Sequence, residues 1–218
     1  MKGAIPIRLM CAMLACGAAQ GEIVDRIAVS VGRRVITQSD LDCAIRVAAF
    51  QDGVKLDFGA ARKKAVAQAL IEQKLVQIEL ENSRYPLPDA AELAPAIEAF
   101  RKEHFKDEAA YQAALAEYGI TEKDFRDMLL WQRTLLLFVQ VRFDTSGQIT
   151  EPEVQEYFDK TVKPKAEAAH PGQPVLLEDF RDEIEQALSA ERTDRQLDTW
   201  MRDARRRTNI VIHEEVLQ

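Results

Sequence analysis

Cysteine is scarce in this chain of 218 residues: there are three, and Cys11 and Cys16 both fall in an N-terminal leader. Cys43 is then left alone, so an intramolecular disulfide is excluded and stability must come from packing. Glycine is thin as well. No glycine-rich phosphate loop occurs, and no serine sits in a nucleophile-elbow context. The three histidines, His104, His170 and His213, are isolated on different expected elements, without metal-ligand spacing. Positive charge is in deficit: the net charge of −7 disfavours binding along a nucleic-acid backbone. What remains is ordinary for a folded chain, with 47% apolar and 30% charged residues, so bulk disorder is not expected.

The first residues read as a secretory signal. Lys2 and Arg8 supply a basic start, "LMCAMLACGAA" is a short apolar core, and Ala19-Gln20-Gly21 carries small residues where signal peptidase cuts. Cleavage is expected after Gly21, which makes residues 1–21 the signal peptide and the location periplasmic. A membrane anchor is the alternative, but the apolar run is short for a span. Lipidation at Cys16 is disfavoured, because Met13 and Leu14 fit a lipoprotein box poorly. Removal of Lys2 and Arg8, the only charged side chains among residues 1–21, takes the charge from −7 to −9.

The mature chain opens with "RIAVSVGRRVITQSDLDCAI". Alternation at Ile27, Val29 and Val31 has the period of a half-buried strand, Gly32 permits a turn, and Val35-Ile36-Thr37 forms the return arm. Ser39 is the expected N-cap of a helix from Asp40 to Phe50, with Asp42 as capping-box partner. Cys43, between Leu41 and Ile45, reads as a small core residue rather than a reactive thiol. A second helix is expected over Ala61 to Asn82, ended by "YPLPD". A third is "AAELAPAIEAFRKEHF", flanked by Asp89, and a fourth, "DEAAYQAALAEYG", stops at a Gly119 C-cap. Thr121 and Asp124 box the start of a fifth helix, which is apolar nearly all round and therefore expected to be buried on several sides.

Thr150 and Glu153 make another capping box, after which "TVKPKAEAAHPGQP" is expected to break regularity. The last helix, from Leu177 to Arg207, spans on the order of 45 Å. Its apolar residues sit at both ends and "SAERTDRQ" between them is polar, the pattern of a helix bridging two contact regions, and one that also suits domain swapping. Two strands make a marginal ribbon. "NIVIHEE" is the strand expected to return and make three.

In order along the chain, "VDRIAVSVGRRVITQSDLD", "ALIEQKLVQIEL", "YGITEKDFRDMLLWQRTLL", "ITEPEVQEYFDK" and "ALSAERTDRQLDTWMRDARRRTNIVI" resemble the SurA-type periplasmic chaperones and their parvulin-class prolyl isomerase relatives. The resemblance implies a mainly α fold with a small β ribbon: a SurA N-domain-like helical core, a long C-terminal helix, and a C-terminal strand pairing with the N-terminal hairpin. The implied division is residues 22–160 as the chaperone domain, 161–176 as a short linker, and 177–218 packing back. Relatives carry a parvulin domain where this chain has only the linker, and its glycine- and histidine-bearing signatures are absent. The resemblance therefore implies no catalytic residues and no isomerase activity.

The implied function is ATP-independent holding of unfolded envelope polypeptides, outer-membrane protein precursors foremost, in an apolar groove. No cofactor, no metal and no nucleic-acid partner is expected. Met, Leu and aromatic side chains repack around varied apolar peptides. Phe125, Met128, Trp131, Leu135 and Phe138 are the expected client contacts, with Phe100, Tyr111 and Tyr118 as the opposite wall. A scaffold with one fixed partner and a degenerate prolyl isomerase are the alternatives. The arginine cluster Arg202, Arg205, Arg206 and Arg207 reads as cations at a helix C-terminus, with a phosphate or lipid contact as the second reading.

Overall fold

Three antiparallel strands gather residues from both ends of the described chain, which in this computed structural model comprises residues 25–143 and 149–218. The expected signal peptide, its cleavage site and Cys16 lie outside the described residues. Strand β1 (Ile27–Val31) is central, flanked by β2 (Arg34–Thr37) and β3 (Ile210–Ile212). Val29 faces Ile36 on one side and Ile212 on the other; Ser30 likewise faces Val35 and Val211. Alternation then sorts the faces: Val29, Val31 and Ile36 are fully buried, while Val35 and Val211 are exposed. The "NIVIHEE" segment does complete the ribbon. At the hairpin Gly32 has a φ of 60°, and its amide donates to the Asn209 carbonyl at 2.8 Å, so the turn is tied to the residue before β3.

Helix α1 (Gln38–Asp52) follows β2 without a loop. Its N-cap is Thr37, not Ser39: the Thr37 side chain accepts from the Asp40 amide, and Asp40 bonds back to the Thr37 amide at 2.9 Å. Thr37 already has the extended backbone of a strand, which an N-cap also needs, so one residue ends the strand and starts the helix. Ser39 instead donates its amide and hydroxyl to Asp25, pinning the segment before β1 onto the first turn; these bonds hold the Asp25 carboxyl below the usual range.

Helix α2 (Ala60–Asn82) is as expected. The third helix is shorter, because Pro95 must sit in a first turn: Asp89 caps a 3-10 turn (Ala90–Leu93), and α3 begins at Ala94 and ends at His104. Helix α4 (Glu108–Tyr118) stops at Gly119 with φ 65°, and α5 (Glu122–Arg142) opens with the Thr121–Asp124 box. Helix α6 (Glu151–Tyr157) opens with the Thr150–Glu153 box and runs through a π turn (Phe158–Val162) into α7 (Lys163–Ala169). The expected irregularity from Thr161 onward therefore starts only after Ala169. Pro164 is tolerated because it falls in the first turn after the π segment, where its missing N–H is not needed. Helix α8 (Arg181–Arg207) is about 40 Å long at 1.5 Å per residue.

Three apolar cores result. The first packs the sheet against α2, the second half of α5 and the last turns of α8, with Phe138 and Trp200 at its centre and Val216 and Leu217 closing it. The second surrounds Phe50, whose ring lies 5.2–6.1 Å from those of Phe100, Phe105, Tyr111, Tyr118 and Phe125. The third holds Val154, Phe158 and Ile184 together. Two helices act as struts between them. In α5, Phe125 enters the second core and Phe138 the first; in α8, Ile184 enters the third and Trp200 the first.

The polar middle of α8 does bridge two cores, with Glu191, Asp194, Arg195 and Gln196 exposed and the opposite side tethered. Arg192 pairs with Glu153, and the Thr193 hydroxyl donates to the Phe143 carbonyl at 3.3 Å. Helix α5, by contrast, is not buried on several sides. Apart from Phe125 and Phe138 its residues are half-buried or exposed, with Leu136 and Val141 about half accessible. No helix among the described residues is long and apolar enough to cross a membrane.

Candidate functional site

The half-buried face of α5 borders a cleft made of two adjoining hollows, of about 550 and 390 Å3, which meet at Gln73, Asp127 and Trp131. Helical spacing places the walls. Gln73, Gln77 and Leu80 lie on one stripe of α2, Asp127, Leu130, Trp131 and Thr134 on one stripe of α5, and Cys43, Ala44 and Val47 on one stripe of α1. The small side chains of Ala44 and Ala48 leave the room that Met128 and Trp131 border. Leu87, on the proline-bounded segment after α2, is two-thirds exposed at the rim.

Ion pairs fix this rim. Arg34 of β2 reaches across to Glu81 and donates to Gln77 at 3.4 Å, tying the ribbon to α2; the guanidinium holds the Glu81 carboxyl below its usual range. Lys123 pairs with Asp127 one turn away on α5. On the floor, burial pushes the Cys43 thiol up, and the carboxylates of Asp124 and Asp40 push it the same way. A thiol held protonated is a poor nucleophile. Asp124 itself is kept below the usual carboxylate range by hydrogen bonds from Thr121.

This arrangement offers a half-apolar trough with polar edges, suited to reversible capture of an extended chain or helix face. Among the described residues no group of three His, Cys, Asp or Glu side chains is placed to share a metal ion. The histidines stand apart: His104 lies tilted against the Phe100 ring, centroids 4.5 Å apart, His170 follows α7, and His213 faces Glu215.

Of the eight residues expected to contact clients, Met128 and Trp131 line the cleft. Phe125, Tyr111 and Phe138 do not: all three are buried, at 1% exposure or less. The apolar periodicity of α5 could not rank its residues, and the helix inserts one aromatic into each of two cores. Leu135 packs against the first core. Phe100 and Tyr118 are not an opposing wall but neighbours of Phe50, with the Tyr118 hydroxyl donating to the Val54 carbonyl at 2.9 Å. The opposing wall belongs to α2 and α1. The i, i+4, i+7 series Gln73, Gln77, Leu80 was the available signal, masked because α2 is read first for its buried apolar face.

The arginine cluster also separates. Arg205 pairs with Glu72 and donates to Gln68 of α2, Arg206 faces Asp203, and Arg202 bonds within its own helix. No protein-family model matches the chain, and no curated protein matches it.

Proposed function

We propose that this protein is an ATP-independent periplasmic chaperone that holds unfolded envelope polypeptides, outer-membrane protein precursors foremost, in the cleft around Trp131. The observation carrying this reading is the shared position of Trp131, half-buried at the junction of two hollows and flanked by Met128, Leu130, Leu80 and the exposed Leu87. Large aromatic anchors dominate peptide affinity, and a methionine beside them adapts to differing side chains. The order of segments resembling the SurA-type chaperones points the same way, as does the completed N- and C-terminal sheet. Capture rests on burial of apolar surface and needs no nucleotide. Burial raises the pKa of the Cys43 thiol, which makes it a poor nucleophile toward the occupant.

The test is suppression of aggregation of several unrelated unfolded polypeptides, a β-barrel precursor among them, with affinity read by anisotropy of a labelled client. Trp131→Ala is expected to weaken binding at least about tenfold, since truncating a central aromatic anchor costs ~2 kcal/mol or more. Far-UV circular dichroism checks that the variant keeps its helices. Unchanged affinity in Trp131→Ala removes the cleft from the proposal. Binding of one stoichiometric partner alone, with no suppression for unrelated chains, replaces the chaperone with a scaffold.

A further inference from the structure

A second hollow, of about 720 Å3, lies between the end of α5 and α8, over the buried indole of Trp200. Its lining reverses the sign of the molecule. Four guanidinium groups, those of Arg142, Arg192, Arg195 and Arg207, face it together with two carboxylates, Glu79 and Asp203, on a chain of net charge −7. Positions 192, 195, 199, 203 and 207 are spaced by three or four residues, so one stripe of α8 supplies most of the wall, while Arg142 closes it from α5.

Helix-end electrostatics does not account for this set. The macrodipole favours cations only within the last turn. That covers Arg205, Arg206 and Arg207, but Arg192 and Arg195 lie three turns or more earlier. Nor are the charges consumed locally. Arg192 is anchored by Glu153, whereas Arg142 lies over the ring of Phe143, and among the described residues Arg195 and Arg207 have no carboxylate partner. Their neighbour Arg205, one turn from the same hollow, is neutralised by Glu72. Exposed donors therefore surround a hollow of small-ligand size, within the few hundred Å3 usual for such sites.

Guanidinium forks match oxyanions in a bidentate manner. A carboxylate has two oxygens to offer a fork; a phosphate monoester has three terminal oxygens and up to two charges. We propose that this hollow binds a phosphate-bearing ligand, its phosphate taken by Arg195 of α8 and Arg142 of α5, with Arg207, about 18 Å further along α8, adding positive charge at the other end and Glu79 and Asp203 taking hydroxyl or ammonium donors on the rest of the molecule. Arg192, fixed by Glu153, sets the far edge. The site is separate from the Trp131 cleft, and its failure would leave that reading standing.

The experiment titrates the full chain by calorimetry with glycerol 3-phosphate, and in a second arm with phosphatidylcholine vesicles with and without phosphatidic acid, which presents the same monoester. Arg195→Gln/Arg207→Gln is compared with Arg33→Gln/Arg84→Gln, which removes two exposed positive charges elsewhere. Saturable binding of glycerol 3-phosphate, weakened at least about tenfold in the first pair and under about twofold in the second, supports the site with a soluble ligand. The same pattern with phosphatidic acid vesicles alone supports it with a lipid headgroup as the source. Binding in neither arm, or equal loss in both double variants, overturns the proposal.

Discussion

Leu217→Ala isolates the claim that the two ends of the described chain meet in one core. Leu217 is 2% exposed and packs in the same cluster as Val29, Val31 and Trp200. Truncating a fully buried leucine loses its transfer free energy and leaves a cavity, together about 2–5 kcal/mol. The site is near the chain terminus, where the backbone yields and collapses part of the cavity, so the expected loss is about 2.5–3 kcal/mol. For a chain of this size that lowers Tm by roughly 5–12 °C. Val211→Thr is the paired control: its side chain lies on the exposed outer face of the same sheet, pairing across Ser30, and the substitution keeps a β-branched residue. It should cost less than about 0.5 kcal/mol. The assay is urea unfolding followed by tryptophan fluorescence and far-UV circular dichroism together, with equal m-values required before stabilities are compared. Equal stability of the two variants would refute the reasoning, because the terminal turn would then contribute no more than an exposed position.

Two further predictions address the second core. The Tyr111 hydroxyl is buried without a hydrogen-bond partner among the described residues, so Tyr111→Phe should raise stability by about 1 kcal/mol; a loss of that size in urea unfolding would show that the hydroxyl has a partner. Asp124 has its carboxyl held below the usual range by Thr121, so its contribution is present above the unfolded-state pKa of ordinary aspartate and is lost as pH falls through the lower folded value. Asp124→Asn should therefore cost about 1 kcal/mol near neutral pH, as a lost capping contact does, and flatten the acid limb of the stability–pH curve; an unchanged limb would contradict that.

Local chemistry was legible wherever a residue type has one structural use. Thr121 with Asp124, Thr150 with Glu153, and Gly119 each mark a helix end, and each sits where its spacing indicates. The third strand was legible because a lone hairpin leaves a face uncovered. Thr37 was obscured by Ser39, an equally good cap type, and only the position where β2 ends decides between them. The π turn was hidden because "TVKP" reads as a breaker, although Pro164 costs nothing in a first turn. For the cleft, sequence supplied Trp131 and Met128 but not their surroundings. Which side of a uniformly apolar helix is covered depends on neighbours about 50 to 90 residues away, and no periodicity within α5 carries that information. The basic hollow is further still from legibility, since it joins the end of one helix to the middle of another.

The central position of β1 bears on how such a chain acquires its shape during synthesis. One of the two strands beside residues 27–31 lies about 180 residues further along, so the middle of the sheet waits unfinished until that strand emerges. Contacts of such separation are slow to form, because a long loop must be closed before they contribute. A nascent chain halted before residue 210 would expose an unpaired edge on β1, and protease resistance in the first core should arrive late and abruptly rather than grow with length.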